Sequence, residues 1–472
     1  MASENLPIRA APTGLRELDA FLEPFGDLFK RDPTRQSVER YVTGLLTDLN
    51  HKTCDTIAQA VAGTSTQRLH HLLADAEWES AEMDERRVRA LACDSPGGGV
   101  LILDDTGQEK WGRNSVGVAR QYSGTLGKVG NCQVIVTAEY VADELCSSTP
   151  LHWPVAARLY LPEVWAHDAE RRRKANVPED LPFQTKPEIA LDLVRRARAW
   201  GVPFRFVVAD CGYGHNPGFL EGLEEQQLLY VCGVDSTFGL RLPKEVQEGR
   251  AALPPVYPGN GRPRQTRPAP LYAAKGVGET ISEEVWQTIA WREGSKGALR
   301  KQFAAVRVHR ATGNPAAKWS KVSRMTTGPE GWLLIEQPVP GEKGDWKWYL
   351  SNLPADTPLE RLVALAHARW VIEQSYREAK GVCGLDNYQG RSWQGLHRHL
   401  ALVMLSYSFL MWQRANLPNN PDGGLSPLWL HADAPGRAQA GVEKAVRGAA
   451  TVAHCDQPHQ SFHAHEKLTK YY

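Results

Sequence analysis

Two short segments of this sequence are apolar almost throughout, and each stops abruptly at an aspartate. Val100–Leu103 precedes Asp104, and Phe204–Ala209, polar only at Arg205, precedes Asp210. Apolar runs without polar alternation are typical of strands buried on both faces of a sheet. Helical patterns and further strands alternate with these two segments. The sequence therefore predicts an α/β core with acids at the ends of two strands.

Length and composition are those of a chain with two or three folded domains. The chain has 472 residues, of which 42% are hydrophobic and 23% charged, as in ordinary globular proteins. Its eight cysteines contain no Cys-x-x-Cys pair. No signal peptide and no apolar run of membrane-spanning length is recognisable. We therefore expect free thiols, a cytoplasmic location and no membrane partner.

One long amphipathic helix is predicted near the end of the core. Apolar residues recur at three- and four-residue steps from Pro358 to Lys380, with Asp356 or Thr357 as the expected N-cap. Its polar side carries a charged stripe at i, i+4, i+8 and i+11: Arg369, Glu373, Arg377 and Lys380. Taken alone, this stripe is better explained by exposed ion pairs than by catalysis.

The strand-end acids change the interpretation of that helix. Cleavage of a phosphodiester needs an activated oxygen and stabilisation of the leaving oxygen, which two Mg²⁺ ions about 4 Å apart supply through carboxylates and waters. Asp104 or Asp105, with Asp210 and Glu373, would provide such a cluster. Each strand-end Asp alone is weak evidence, because Asp is also common in turns and helix caps.

Residues 15–92 have helical patterns, and two short helices among them resemble a helix-turn-helix. They span Asp55 to Gly63 and Thr64 to Leu73, with Thr64 and Gln67 as a possible capping box. Three polar residues of the second helix are the candidate DNA-reading residues: Gln67, Arg68 and His71. An ordinary helical hairpin with a polar outer face explains the pattern equally well.

A basic, β-rich segment interrupts the core. Residues 238–350 combine Pro- and Gly-rich loops with short β-like runs, and Lys and Arg far outnumber acids between Trp291 and Met325. Such a stretch suggests a polyanion partner, although many basic faces are merely solvated. The candidate phosphate contacts are Arg300, Lys301, Arg307, Lys318, Lys321 and Arg324. In the Gly-rich segment after the first strand, Arg120 and Lys128 are further candidates.

Three blocks of sequence carry a resemblance to a known family. Residues 101–133 join LILDDTG to SVGVARQYSGTLGKVGNCQ, residues 208–214 read VADCGYG, and residues 368–393 hold ARWVIEQSYREAK and GLDNYQGRSW. These blocks resemble bacterial insertion-sequence transposases with a DDE triad, specifically the IS-four superfamily in its IS-seven-oh-one branch. The resemblance covers roughly residues 15–415.

The resemblance implies a fold, a cofactor and a ligand set. The fold is an RNase H-like core interrupted by a β-rich insertion before the last catalytic helix. The cofactor is Mg²⁺, with two ions and possible replacement by Mn²⁺. The family's Asp-x-Ser/Thr pattern favours Asp104, followed by Thr106, as the first ligand. Asp105 is the second choice, because neighbouring strand residues point to opposite faces, and it would instead orient Lys110 or Arg120.

The third block keeps most of the family's signature. Arg369, Glu373 and Lys380 have the expected spacing, which implies that Arg369 and Lys380 face the scissile phosphate. Ala366 stands where the family has Tyr, and Tyr376 is a candidate substitute for that residue's contact with the DNA backbone. Cys211 follows Asp210, where an acid or a small polar residue is more usual. Neither departure removes a metal ligand.

The sequence thus predicts a DNA transposase that cuts and joins strands at the inverted repeats of its element. It would act as a homodimer on double-stranded DNA at the bacterial nucleoid. The alternatives are a transposase-derived DNA-binding protein without transposition and an RNase H-like, structure-selective nuclease. The predicted divisions are 1–94 (helical, DNA-binding), 95–237 (core), 238–350 (β-rich insertion), 351–415 (catalytic helices) and 416–472 (tail). For the tail's His and Cys residues we do not favour a zinc site.

Overall fold

One sheet organises the part of the chain that the computed structural model describes, which is residues 16–145, 147, 149–251, 270–294, 297–311 and 327–415. Its twelve strands are β1 (Gly99–Glu109), β2 (Ala119–Ser123), β3 (Lys128–Val141), β4 (His152–Leu159), β5 (Phe204–Ala209), β6 (Leu229–Val234), β7 (Gly239–Arg241), β8 (Tyr272–Ala273), β9 (Gln287–Gly294), β10 (Gly297–Ala311), β11 (Thr327–Gln337) and β12 (Lys347–Ser351).

Helices lie before, between and after these strands. Those preceding the sheet are α1 (Arg16–Leu22), a 3₁₀ helix (Glu23–Leu28), α2 (Asp32–Leu46), α3 (Cys54–Ala60), α4 (Thr66–Ala74) and α5 (Ser80–Cys93). Those between strands are α6 (Glu163–Ala166), α7 (Ala169–Lys174), α8 (Lys186–Ala199), α9 (Cys211–Gly214), α10 (Pro217–Glu225), α11 (Pro243–Ala251), α12 (Ala274–Glu279) and a 3₁₀ helix (Glu283–Val285). Those following the sheet are α13 (Leu359–His367), α14 (Trp370–Gly381) and α15 (Trp393–Ala415).

The centre of the sheet is a mixed five-stranded unit. Strands β1, β5 and β6 are parallel neighbours, while β3 pairs antiparallel with β1, and β4 pairs antiparallel with β3. The spatial order is therefore β4-β3-β1-β5-β6, with α8 connecting β4 to β5 and α10 connecting β5 to β6. The predicted α/β class is confirmed, and the two apolar segments form adjacent parallel strands at the middle of the sheet. The predicted end of the first strand at Asp104 is wrong, because β1 continues to pair with β3 as far as Glu109.

The β-rich segment extends this sheet and does not form a separate one. Strand β12 pairs with β6, and β11 and β10 continue outward from it. Strand β9 pairs with β10, and Trp291 on β9 stacks on His367 of α13 at 3.9 Å between ring centroids. The segment therefore reaches the helices that follow it in the chain.

The N-terminal helices share a core with the last helix. Leu18, Val42, Leu69 and Leu402 belong to one buried apolar cluster. Within it, the hydroxyl of Tyr41 lies 2.8 Å from Nδ1 of His399. The buried guanidinium of Arg398 donates to the carbonyls of Leu73 and Trp78, at 3.2 and 2.7 Å. Helix α15 is thus buried among α2, α4 and α5, and it holds them against the sheet.

Two predicted helix caps are wrong. Ser65, not Thr64, caps α4 by accepting a hydrogen bond from the amide of Arg68 at 3.3 Å. Pro358 is the N-cap of α13 and provides no side-chain hydrogen bond, so neither Asp356 nor Thr357 caps it. In both cases the helix begins about one residue from the expected position, a shift that local patterns rarely resolve.

The single long helix predicted from Pro358 to Lys380 is divided. Helix α13 ends at His367 and α14 begins at Trp370. The amides of Ala368 and Val371 donate to carbonyls three residues back, at 3.1 and 3.2 Å. The backbone is tightened into a 3₁₀-like turn here. No helix in the described ranges is long and apolar enough to span a membrane.

Candidate active site

The register of β1 against β5 brings Asp104, in the middle of β1, next to Asp210, at the end of β5. Leu103 pairs with Ala209, so Asp104 and Asp210 follow at equivalent positions of adjacent parallel strands. Asp210 is also the N-cap of α9, where its Oδ1 accepts a hydrogen bond from the Gly212 amide at 2.9 Å. This bond fixes one carboxylate oxygen.

The short helix after Asp210 packs directly on the backbone of β6. A Cβ atom at Gly214 would lie 2.0 Å from the carbonyl oxygen of Gly233. Any larger residue would therefore push α9, and Asp210 with it, away from the sheet. Residues 208–214 therefore contain a glycine that close packing requires, Gly214, as well as the acid Asp210.

Arg369 joins the first acid to the third. One guanidinium nitrogen lies 2.6 Å from Oδ2 of Asp104, and the other lies 2.7 Å from Oε1 of Glu373. Arg369 and Glu373 are one helical turn apart at the start of α14. The predicted trio of Asp104, Asp210 and Glu373 therefore occupies one region, with an arginine between two of its members.

Burial makes the charges of these aspartates unfavourable. Removal from water raises the pKa of Asp104 to about 7, a rise that Arg369 opposes and Asp210 reinforces. Burial also raises the pKa of Asp210, again against the influence of Arg369. Neighbouring buried carboxylates repel each other and require a cation to be ionised together. In this structure, Arg369 supplies that cation.

Asp105 lies on the opposite face of β1. Its Oδ2 accepts hydrogen bonds from Nζ of Lys186 at 3.1 Å and from the hydroxyl of Tyr213 at 3.3 Å. These partners differ from the expected ones: Lys110 donates instead to the carbonyl of Tyr388 at 2.7 Å, and Arg120 is exposed.

Among the described residues, no three His, Cys, Asp or Glu side chains lie close enough to hold a metal ion as they stand. Asp104 and Glu373 are connected through Arg369 rather than facing a shared space. A metal ion coordinated by both carboxylates would have to displace this guanidinium. The guanidinium of Arg369 therefore occupies the position between Asp104 and Glu373 that a cation would take.

Lys380 lies beside β1, beyond the acids. Its Nζ contacts the carbonyl oxygen of Gly107 at 3.2 Å and Oγ1 of Thr125 at 3.5 Å. Burial lowers its pKa, with Asp386 acting in the opposite direction. The side chain is thus three residues past Asp104 along the strand, at the tip of the β2–β3 hairpin.

Tyr376 faces the sheet. Its hydroxyl forms a short hydrogen bond with Oγ1 of Thr137 on β3, and burial raises its pKa well above the ordinary value. Ala366, at the family's Tyr position, is also buried. Burial, with a contribution from Asp210, raises the pKa of the Cys211 thiol to about 11. At neutral pH this thiol is protonated and a poor metal ligand.

The candidate DNA-contacting residues differ in solvent exposure and in the bonds that they already make. Exposed side chains are Gln67, His71, Arg120, Lys128 and Arg300. Arg68 donates to the carbonyl of Gly63, and Arg307 pairs with Glu330 at 2.9 Å. Lys301 is partly buried. Lys318, Lys321 and Arg324 lie outside the described residues, as does the tail with its His and Cys residues.

Two features near the acids have no counterpart in the sequence predictions. Arg292 of β9 stacks on the ring of Trp370 at 3.9 Å. Burial lowers the pKa of its guanidinium, and the charge of Glu373 acts in the opposite direction. Behind α14, Ser375 donates to the buried carboxylate of Glu139 at 2.5 Å, and Nδ1 of His152 lies 2.8 Å from the same oxygen. Both depend on long-range packing, and only the basic character of the β-rich segment hinted at the first.

Comparison with known proteins agrees with this geometry. Residues 24–298 match the model of the DDE superfamily endonuclease family, a stretch that includes both aspartates and ends before Glu373. Over 232 residues the chain is 31% identical to a probable transposase for insertion sequence element IS701 from Microchaete diplosiphon. That match covers 49% of this chain and 56% of the relative, so the chain spans little more than half of that protein.

Proposed function

The chain belongs to the DDE superfamily of endonucleases, and from this membership we propose that it is a DNA transposase of the insertion-sequence type. It binds both ends of a mobile element, cleaves the strands and transfers them to a target. One observation carries the proposal: Asp104 on β1, Asp210 at the end of β5 and Glu373 on α14 lie in one region. Arg369 pairs with Asp104 and Glu373, and its charge also acts on Asp210. The order β4-β3-β1-β5-β6 supports an RNase H-like core.

The three acids suit a divalent metal. They are hard oxygen donors, which Mg²⁺ and Mn²⁺ prefer. The ion pairs of Asp104 and Glu373 with Arg369 indicate a local demand for positive charge. We assign Asp104, Asp210 and Glu373 as the residues that hold it. When bound, the metal activates the attacking oxygen and stabilises the leaving one.

The remaining residues position DNA and manage charge. Asp210, fixed by Gly212, keeps one carboxylate oxygen directed away from its helix cap. Arg369, on leaving Asp104, is placed to neutralise the scissile phosphate, and Lys380 neutralises the next phosphate along β1. Arginine suits the first role because its planar fork binds phosphate oxygens in pairs. Asp105, held by Lys186 and Tyr213, orients β1.

End recognition is assigned to α4, with the terminal inverted repeats as its target. Gln67 and His71 are exposed on α4 and can reach base edges, whereas Arg68 is tied to neighbouring carbonyls and acts mainly on the backbone. Arg300 of β10 adds phosphate contacts that do not depend on sequence. Because two ends must be joined, the active species is a homodimer on DNA.

The test is strand transfer with the DNA that flanks the gene. Purified protein, Mg²⁺ and a donor plasmid carrying both flanks should release the intervening segment and join it to a target plasmid. Joining that fails when one flank is scrambled supports paired-end transposition. Cutting without end dependence or joining would instead identify a structure-selective nuclease, and binding without cutting would identify a DNA-binding protein.

A further inference from the structure

A group of exposed aromatic and basic side chains projects from the β2–β3 hairpin and from the turn that follows β1. We call it the aromatic arm: Trp111, Arg113, Arg120, Tyr122, Lys128 and Val129. Trp111 is 95% exposed, Tyr122 63% and Val129 53%, which places them among the four most exposed large apolar side chains of the described residues. Single exposed apolar residues are common, but a cluster indicates a binding surface.

The exposure of Trp111 does not come from a loose turn. The side-chain amide of Asn131 donates to the carbonyl of Gly112 at 2.9 Å and forms a short hydrogen bond to that of Lys110. The amide of Lys110 donates in return to the carbonyl of Asn131 at 3.0 Å. The indole is therefore held out into solvent by a turn that is fixed on both sides.

Arg120, Tyr122 and Val129 lie on one face of the β2–β3 hairpin. Tyr122 pairs with Val129, and Arg120 pairs with Asn131, two residues away on each strand. Residues two apart on a strand share a face, so Arg120 and Tyr122 lie on the face to which Asn131 ties the Trp111 turn. Arg113 and Arg120 are exposed here beside one exposed acid, Glu109. Lys128 is exposed too, but it pairs with Ser123 and so lies on the opposite face of the hairpin.

Helix α7 adds further positive charge next to the turn. The guanidinium of Arg171 donates to the carbonyl of Arg113 at 3.0 Å, and Arg173 on the same helix is exposed. Lys174 is partly neutralised by Glu170 at 2.5 Å. Exposed rings among cations suit a nucleic acid, whose bases stack on aromatic faces and whose phosphates attract the charges.

The arm is continuous with the acid site. Thr125, at the hairpin tip, accepts a hydrogen bond from the amide of Gly107 at 3.2 Å, and Lys380 contacts both residues. A Cβ at Gly107 would lie 1.9 Å from Oγ of Ser123, so the hairpin closes directly over β1. Along the strand direction, Trp111 is about 20 Å from Asp104, or about six stacked nucleotides at 3.4 Å each.

We propose that the aromatic arm binds an unpaired base of the DNA strand about six nucleotides from the phosphate held at Asp104. Trp111 stacks on the base, while Arg120 contacts an adjoining phosphate. The occupant is an unpaired base because an indole can stack only on a base whose face is open. This inference rests on the proposed function, since it assumes that DNA runs along β1.

Binding of the full-length protein to two fluorescent duplexes in EDTA tests the proposal. One duplex is fully paired, and the other has three unpaired nucleotides with 2-aminopurine in the middle. The wild type should prefer the second duplex and quench its 2-aminopurine. Trp111→Ala should lose about tenfold in affinity for that duplex only, and Trp111→Phe should retain part of the preference. Phe183→Ala, which removes another exposed ring, should bind like the wild type.

Three results would overturn the proposal. Equal affinities of the wild type and Trp111→Ala for the unpaired duplex would remove the stacking role while leaving the transposase assignment intact. A wild type that binds neither duplex would contradict both. A protein that self-associates without DNA, in sedimentation, and loses this association in Trp111→Ala would identify the arm as a contact between two copies of the chain.

Discussion

The guanidinium of Arg369 lies 2.6 Å from Oδ2 of Asp104. This contact links the start of α14 to β1, beside Asp210. A second contact, 2.7 Å to Glu373, ties the same guanidinium to the acid of α14. In the absence of metal and DNA, the arginine therefore stabilises a cluster of buried carboxylates that would otherwise repel one another.

Replacing this arginine should affect metal binding and cleavage in opposite directions. In Arg369→Gln, Mn²⁺ should bind more tightly in the absence of DNA, because its competitor for Asp104 and Glu373 is gone. DNA cleavage should nevertheless fall by about tenfold or more, because one phosphate-neutralising cation is lost. Titration calorimetry and a cleavage assay at pH 8.5 measure the two effects. Weaker Mn²⁺ binding in Arg369→Gln would contradict the competition.

Ser375, on the buried side of α14, should position Glu373 without touching DNA. Ser375→Ala leaves the buried carboxylate of Glu139 with one donor fewer, which should lower the free energy of unfolding by about 1–3 kcal/mol. It should also raise the Mg²⁺ concentration needed for half-maximal cleavage, measured at a temperature well below the melting temperature of the variant.

Ser406 provides a matched control for that substitution. It is fully buried too, but its hydroxyl donates at 2.8 Å to Leu402 within its own helix. Ser406→Ala should leave the Mg²⁺ dependence unchanged. If Ser375→Ala shows the same Mg²⁺ dependence as Ser406→Ala, Ser375 has a role in stability alone.

Acid should destabilise the fold through His399. Burial lowers the pKa of this histidine from 6.5 to about 4, so the folded state keeps it neutral while the unfolded chain binds a proton. The stability it contributes is present above pH 6.5 and is lost as the pH falls towards 4, by up to about 3 kcal/mol.

Urea unfolding at several pH values checks this expectation. His399→Gln should unfold with a shallower pH dependence than the wild type across this range. Replacement of the exposed His71 by Gln should leave the wild-type slope. An unchanged slope in His399→Gln would assign the acid sensitivity to other groups.

The two DNA-contacting surfaces should separate by their dependence on salt. Arg300→Ala should weaken binding to all sequences alike and reduce the salt slope by about one, because one phosphate contact is lost. Gln67→Ala with His71→Ala should instead reduce discrimination between the element's end and random DNA. Anisotropy titrations from low to moderate salt measure both. A double variant that still discriminates like the wild type would rule out α4 as the reader.

Deletion of residues 1–94 is a poor substitute for these variants. The N-terminal helices bury α15. Hydrogen bonds cross that interface from Tyr41 to His399 and from Arg398 to the carbonyl of Leu73. Their removal would expose the apolar cluster that the two parts share, so loss of binding would report misfolding and not recognition.

Local patterns were sufficient for the strands and for the convergence of the acids. Asp104 and Asp210 each follow an apolar run, and because the two runs pair as parallel neighbours the acids are adjacent. The end of the first strand was predicted wrongly, because pairing with β3 extends β1 from Asp104 to Glu109. The charge stripe placed Glu373 and Arg369 one turn apart. By contrast, the 3₁₀-like turn at Ala368 could not be predicted, because no Pro or Gly marks it in the sequence.

Long-range contacts were beyond the reach of the sequence. The pairing of Asp105 with Lys186 joins residues 81 apart in the chain. The stacking of Arg292 on Trp370 joins the β-rich segment to α14. The exposed position of Trp111 depends on Asn131, which belongs to another strand. In each case tertiary packing decided a side chain's partner, and no spacing or composition encodes it.

Cleavage by Asp210→Asn tests the central claim, that the three acids form a metal-dependent cutting site. With Mg²⁺ and plasmid DNA carrying the gene's flanks, this variant should lose at least about a hundredfold in initial rate, while binding the same DNA in EDTA as well as the wild type does. Asp235→Asn is the control, because Asp235 also follows a parallel strand but pairs with His215 at 3.1 Å, and it should cut normally. Wild-type cleavage by Asp210→Asn would contradict the account.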